Sequence, residues 1–471
     1  MQRNLFMLIY DSVQKKKVPF IPLKENEVKI YVCGPTVYDD AHLGHARSAI
    51  AFDLLRRVFT ALGYTVTFVK NFTDIDDKII TKMKESGRSL EEITSFYIER
   101  YKNEMHALHV NDADIEPKAT ETVAEIISFV TSMLDKKVAY VTSDGIYFDT
   151  AKDAKYLSLS HRIIEEDASQ SRIEQKEEKK DQKDFALWKF SKANEPSYPA
   201  PFGVGRPGWH IECSAMIEKH LASSGDFQID IHAGGADLLF PHHENEAAQT
   251  RCKSDQELAK YWMHNGFVTI SGEKMSKSLG NSFFLKDALS IYSGEVLRFY
   301  LLATHYRANF NFAEEDLLNT KKRLDKLYRL KKRVFENAPS EISVSFKEAM
   351  LEALSDDLNI SKALASLDEM ISSANETLDA NPKDKALKAT THANLQWIES
   401  LLGIGLYNPY MYFQIGVSET EKTEIESLIE ERTQAKKAKD FAKADEIRTL
   451  LEAKAIQLMD TTQGTQWEKV N

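Results

Sequence analysis

The sequence predicts an α/β fold: a parallel sheet interrupted by an insertion, then an all-helical region and a small terminal α+β unit. Three observations carry this. Strand and helix signals alternate over the first third of the chain, they resume after residue 200, and strand signals nearly vanish beyond residue 286.

The first strand is Val28-Lys29-Ile30-Tyr31-Val32, which alternates and stops at the Cys33-Gly34-Pro35 turn. From His45 to Leu62 the apolar residues Ile50, Leu54, Leu55, Val58 and Leu62 follow a helical period that Gly63 closes. The β-branched stretch Thr65-Val66-Thr67-Phe68-Val69 then reads as a second strand. Strand, turn, helix, strand is a βαβ unit, so ligand sites are expected at the carboxyl ends of the strands. A second block, with short strands at Phe227–Ile231 and Phe267–Ile270, is expected to complete the same domain. Between the blocks, residues 116–199 read as an insertion, and the mixed-charge run Glu174–Asp184 as a solvated surface. Pro196, Pro199, Pro201 and Pro207, with Gly203, Gly205 and Gly208, mark the return to the sheet.

Beyond the sheet domain, Thr320–Arg333 is a strongly basic helical stretch, followed by amphipathic segments at Phe346–Leu354, Ile360–Leu378 and Ala386–Leu402. Gly403–Phe413 reads as a linker. Two helices, Thr420–Lys439 and one from Ala442, precede a short Ile456–Met459 strand and Gly464-Thr465-Gln466-Trp467. The resulting boundaries are 1–115 and 200–285 for the split sheet domain, 116–199 for the insertion, 286–319 for a connection, 320–405 for a helical bundle and 415–471 for the terminal domain.

A chain of 471 residues with 42% hydrophobic content supports about three domains with real cores. Lys and Arg number 61 against 72 Asp and Glu, a net charge of −11, so any nucleic acid must be held by local patches rather than a global field. Three cysteines, Cys33, Cys213 and Cys252, make no disulfide framework and read as reduced thiols free to ligate metal. Leu5–Tyr10 is too short for a signal core, and no apolar run approaches the ~20 residues of a membrane span. A soluble, cytoplasmic protein with no membrane partner is expected.

Two short motifs bear chemistry. His42-Leu43-Gly44-His45 opens the first helix, where free N–H groups and two imidazoles suit a phosphate, although histidines near a helix start are often structural. Lys274-Met275-Ser276-Lys277-Ser278 lies between Gly272 and Gly280, so two lysines can meet a departing pyrophosphate; alone it would read as solvated surface. A metal is a further candidate. Pro241 is placed to start a helix, which would set His242 and Glu246 at i and i+4 on one face, with Cys33 and Cys213 in the same domain. From residues alone His243 is an equal candidate, and the cysteines are equally well read as small buried hydrophobes.

Taken with their order and separation, these motifs resemble those of class I aminoacyl-tRNA synthetases, and of the cysteinyl-tRNA synthetase family in particular. The likeness extends to Tyr31–Asp39, Asn71–Lys78, Gly208–Met216, Gly234–Leu238, Phe240–Glu246 and the terminal Gly464–Trp467. It implies a split Rossmann-like parallel-sheet catalytic domain with an inserted connective domain, a stem-contact connection, an α-helical tRNA-binding bundle and a small C-terminal α+β anticodon-binding domain. It implies a Zn²⁺ ion on Cys33, Cys213, His242 and Glu246, and Mg²⁺ accompanying ATP. His42, His45, Lys274 and Lys277 become catalytic candidates. Gly44, Gly234, Asp237 and Lys277 would meet ATP, and Gly34, Thr36, Thr73, Trp209 and His232 would line a cysteine pocket. Trp467 would stack on a tRNA base, with the alternative of simple packing. The implied partners are ATP, L-cysteine and tRNA(Cys), for a monomeric chain. Two further readings compete: a ligase joining cysteine to a small amine, and a binding protein on an inactive core. The persisting helical and terminal segments and the intact motifs argue against them. Ala455 stands where a glycine is expected before Ile456, and Cys252 has no role beyond packing.

Overall fold

A computed structural model describes residues 6–162, 178–270, 273–274, 283–461 and 464–470. The chain divides into two compact units, Met1–Leu318 with Glu348–Ser366, and Asn319–Lys347 with Leu367–Asn471.

The first unit is built on four parallel strands in the order Glu257–Asn265, Phe227–Gly235, Glu27–Val32, Thr65–Lys70. Strand Glu27–Val32 is continued through helix Leu43–Ala61 to Thr65–Lys70 on one side, while Phe227–Gly235 pairs on its other side, with Tyr31 opposite His232. Such a reversal of strand order leaves a crevice beyond the carboxyl ends, here at Cys33 and Gly235. The fourth strand is not where the sequence suggests. Val268–Ile270 belongs to a separate small sheet with Glu273–Lys274 and Phe310–Phe312, and Glu257–Asn265 takes the edge of the main sheet. Its Glu, Lys, His and Asn conceal it from a search for apolar runs, yet His264 and Asn265 are buried.

Helix Trp209–His220 is apolar on two sides. Cys213, Met216 and Ile217 pack against the sheet with Tyr31, Ile229 and Leu258. Ile211 and Ala215 join the core of the insertion with Phe129, Phe148, Leu187 and Trp188. An antiparallel sheet, Ala139–Val141, Gly145–Phe148, Phe185–Phe190 and Gly205–Pro207, runs past the insertion boundary expected at 199, because its last strand leads directly into the helix shared by both cores. Of the charged run, residues 174–177 lie outside the described part, and its end is pinned rather than solvated. Asp184 is buried and accepts hydrogen bonds from the Thr150 amide and hydroxyl and from Tyr140.

In the second unit the helical reading of the sequence is matched by helices at Lys385–Leu402, Glu419–Lys437 and Phe441–Ala453, and by others that run through its boundary. The Gly403–Phe413 stretch is not a free linker. Pro409–Tyr412 is a helical turn, Tyr412 stacks on Tyr328 at 3.7 Å, and the carbonyls of Gly405 and Tyr407 accept from the buried Lys331 ammonium. The basic run is largely neutralised within the unit: Arg323 pairs with Asp368, Lys331 with Glu399, Lys332 with Glu468 and Arg333 with Asp379. Trp467 lies in the terminal core with Val417, Ile425, Leu451 and Leu458 and is 3% exposed. Its ring therefore packs inside the domain and offers no face to a nucleic-acid base.

Ala455 follows helix Phe441–Ala453 at φ 59°, and its carbonyl accepts from the Val470 amide. The turn keeps the left-handed geometry that glycine adopts freely, and alanine bears the Cβ clash. Ala455→Gly is expected to raise terminal-domain stability by about 1 kcal/mol, read as a higher thermal midpoint. An unchanged or lower midpoint would show that the turn carries no such strain.

Among the described residues, no helix is long and apolar enough to cross a membrane.

Candidate active site and metal centre

The crevice beyond the strand ends is a cleft of about 730 Å³. Gly34, Thr36, His42, Gly44, His45, Trp209 and Asp237 all line it, with Cys33 at its base. Close backbone approach makes this possible at Gly34: a Cβ there would lie 1.6 Å from the Asn71 carbonyl oxygen, while the Gly34 amide donates to Asn71 Oδ1 at 2.8 Å. Gly234 is the last-but-one residue of its strand, one before the cleft-lining Gly235. Thr73 and His232 are buried and do not line the cleft. Thr73 supports it through its backbone, exchanging hydrogen bonds with Val37 and Pro35 around Thr36.

The two histidines of the first motif are the cap of helix Leu43–Ala61. The Gly44 amide donates to His42 Nδ1 at 3.0 Å, and the His42 amide donates to His45 Nδ1 at 3.1 Å. The rings stack at 3.9 Å. With both Nδ1 atoms committed as acceptors, each neutral ring carries its proton on Nε2. The first helical turn holds no acidic residue, so the positive end of the helix dipole stands uncompensated beside these rings. Gly44 is needed for the cap, because a Cβ there would fall 2.8 Å from the His42 ring.

Cys33 on the cleft wall and the buried Cys213, His242 and Glu246 offer donor atoms that all lie within 4.8 Å of one another. The two sulfurs are 3.9 Å apart, and His242 Nε2 is 3.0 Å from Glu246 Oε1. Four donors around an ion at Zn–S distances of ~2.3 Å would put tetrahedral sulfurs ~3.8 Å apart, so the donor set fits zinc. The i, i+4 spacing expected of His242 and Glu246 is kept, although regular helix begins at Glu244 after an irregular turn, Leu239–His243, and not at Pro241.

A second donor set overlaps the first: Cys33, His232, His243 and Glu246. His243 Nε2 lies 3.4 Å from Cys33 Sγ, and its Nδ1 is 2.8 Å from His264 Nε2. The first set uses both thiols and leaves His232, 2.8 Å from Glu246 Oε2, to orient the carboxylate as outer partners of metal ligands do. His210 does the same for His242, Nδ1 to Nδ1 at 2.9 Å, and Trp209 stacks on the His242 ring at 4.3 Å.

The electrostatics of this buried cluster are those of an anionic socket. A hydrogen bond with Cys33 draws the Cys213 thiol down to about 6, whereas burial, with Cys213 and Glu246 alongside, pushes Cys33 upward. Burial opposes charge on Glu246, yet His232 and His242 hold it down to about 2. Burial likewise opposes charge on His242, but Glu246 and Cys213 raise it to about 10. A protonated imidazole thus balances what a bound cation would balance.

Residues 19–322 match the family described as tRNA synthetases class I (C) catalytic domain, and residues 349–407 match the DALR domain. A cysteine–tRNA ligase from a Nitratiruptor species is 64% identical over 98% of this chain and 100% of its own length. That of a Sulfurovum species is 62% identical over the same shares. The chain belongs to the cysteine–tRNA ligase family. Its fold is that of class I synthetases at large. Mycobacterium tuberculosis methionyl-tRNA synthetase in complex with methionyl-adenylate superposes with a TM-score of 0.58 at 14% identity, over 80% of this chain and 92% of that one. The Agrobacterium radiobacter K84 agnB2 LeuRS-tRNA-LeuAMS complex gives 0.62 at 12%, over 82% and 85%.

For a cysteine–tRNA ligase, sequence reasoning finds the donors and the HLGH cap and leaves His243 open as a rival ligand, but misses the supporting rings His210 and His264. Only the adjacency of His210 to Trp209 hints at either. Of the lysine motif, Lys274 is described through its backbone, paired with Thr269, and Lys277 lies outside the described residues.

Proposed function

We propose that this chain activates L-cysteine with ATP to cysteinyl-adenylate and transfers the cysteinyl group to the 3′ end of tRNA(Cys), in the cytoplasm and as a monomer. The observation that carries the reading is the convergence of two thiols, an imidazole and a carboxylate in one buried cluster, whose Cys33 lines the same cleft as the HLGH helix cap.

The first step is in-line attack of a cysteine carboxylate oxygen on the α-phosphorus of ATP. The bond to the bridging oxygen breaks, and pyrophosphate leaves with the electron pair. In the second, the terminal ribose hydroxyl of the tRNA attacks the adenylate carbonyl, loses its proton and displaces AMP. Neither step needs a covalent bond to the protein, so the chain contributes positioning and charge stabilisation. The Nε2–H groups of His42 and His45, at the positive end of their helix, meet the triphosphate, which carries Mg²⁺; the first amides of that helix, which the sequence leaves open for phosphate, are already taken by His42, its carbonyl and the Phe283 carbonyl. Lys277, with Lys274, stabilises the transferring phosphates. Asp237 accepts from the ribose, and Gly44 and Gly234 let backbone approach the nucleotide. Gly34, Thr36 and Trp209 border the amino acid, while Thr73 and His232 act from behind as supports.

Cys33, Cys213, His242 and Glu246 would hold zinc, which when bound supplies a soft acceptor that takes the substrate sulfur as thiolate in preference to a hydroxyl. Cysteine and serine differ by one atom, and a pocket separates such near-isosteres by only ~10–200-fold through shape. The helical and terminal regions, 320–405 and 415–471, would serve the tRNA body and anticodon, without base stacking by the buried Trp467.

The test is ATP–pyrophosphate exchange with cysteine and with serine, followed by charging of tRNA bearing a GCA anticodon. Exchange is expected with cysteine and is expected to be weaker with serine by well over the ~200-fold that shape alone can supply. Exchange without charging would point to a small-molecule ligase, and no exchange would remove the enzymatic reading.

A further inference from the structure

We propose that Asp40 is a positioning residue that ties the HLGH turn to the chain emerging from the lysine motif, through paired contacts with Lys286 and Arg100. This rests on the adenylation reading and adds to it residues with no contact to substrate.

The geometry joins three elements distant in sequence. Asp40 lies two residues before His42, is 8% exposed, and faces cations on both oxygens. Lys286 Nζ is 2.7 Å from Oδ2, and Arg100 Nε is 2.9 Å from Oδ1. Lys286 sits in the first turn of helix Leu285–Ile291, and Arg100 on helix Leu90–Ala107. The backbone already docks here. The Leu285 amide donates to the Ala41 carbonyl at 2.8 Å, and His42 is bridged to Phe284. Residues 283–286 are thus fastened to the segment that caps the phosphate-facing helix.

An exposed ion pair contributes little, but Asp40 is a buried carboxylate held between two part-exposed cations from different elements, so losing it removes the link between those elements. A second carboxylate, Glu104, lies 3.6 Å from Arg100 Nε and competes for it. Burial and the charge of Asp40 raise Glu104 to about 7, which weakens its hold near neutrality and leaves Arg100 to Asp40. The fastening fixes residues 283–286, the first described after the lysine motif, relative to His42 and His45. Small misplacements of such groups are costly in rate because catalysis here is positional.

The experiment compares wild type, Asp40→Asn, Asp40→Glu, Lys286→Ala and the double variant Asp40→Asn/Lys286→Ala in cysteine-dependent ATP–pyrophosphate exchange, with thermal midpoints measured in parallel. Asp40→Asn is expected to lower kcat about tenfold with the KM for cysteine nearly unchanged. Asp40→Glu should recover most of the rate, and the double variant should be no slower than Asp40→Asn, since residues acting as a unit are not additive. Robust wild-type exchange with kcat unaltered in Asp40→Asn would overturn the proposal, as would a loss that is multiplicative in the double variant or that follows the thermal midpoint. Absence of exchange in wild type would instead defeat the adenylation reading itself.

Discussion

Cys213→Ser is expected to raise the KM for cysteine about tenfold or more while the KM for ATP stays within about twofold. The asymmetry follows from where the residue sits. Cys213 lies 3.9 Å from Cys33, on a helix packed under the sheet, and does not line the nucleotide part of the cleft. Serine fits the space but offers a hard, weakly acidic hydroxyl where a zinc ion would need a thiolate, so on the proposed reading metal affinity and thiol recognition fall together. Removing the metal by chelation should copy the effect in the wild-type chain, and restored zinc should reverse it there. Discrimination against serine should then collapse toward the ~10²-fold that shape alone provides. Steady-state exchange kinetics with metal analysis check both points. A cysteine KM unchanged in metal-free enzyme would refute zinc as the reader of sulfur.

His45→Asn should lower kcat for adenylate formation about a hundredfold with the thermal midpoint nearly preserved. His45 does two jobs that a small substitution can separate. Its Nδ1 accepts from the His42 amide at 3.1 Å, which completes the helix cap, and on the proposed mechanism its Nε2–H would donate to phosphate. Asparagine reproduces the acceptor near the backbone and lacks the distal donor. His45→Gln reverses this, offering a donor at greater reach and losing the cap, so it should keep more rate and less stability. Pre-steady-state formation of the adenylate, with melting curves for both variants, reads the two effects. A kcat within about twofold of wild type in His45→Asn would confine His45 to capping.

Which parts were legible from the chain follows a consistent physical line. The strand ending at Cys33, the turn at Gly34-Pro35 and the helix from His42 are encoded locally, by period, turn chemistry and cap, and their reading stands. Glu257–Asn265 was not legible because a strand with Glu, Lys, His and Asn lacks the apolar run of a buried parallel strand. Its polar atoms are accommodated one by one, as when His264 reaches Ser12 at 2.8 Å. Trp467 and the basic run of 320–333 show the reverse error. Residues that look available in sequence are consumed by the fold, Trp467 in a core and Arg323, Lys331, Lys332 and Arg333 by carboxylates up to more than a hundred positions away.

By itself the sequence determined the α/β class, the helix cap that suits phosphate and the kinds of donor atom on offer, since each depends on neighbours within a few residues. Only the tertiary structure decided which donors meet: that Cys33 and Cys213 share a site, that both His242 and His243 come within reach of it, and that Asp40, Arg100 and Lys286 converge. Those outcomes depend on strand order and on the turn leading into helix Glu244–Ser254, which bring together segments whose separation along the chain carries no record of their distance in space.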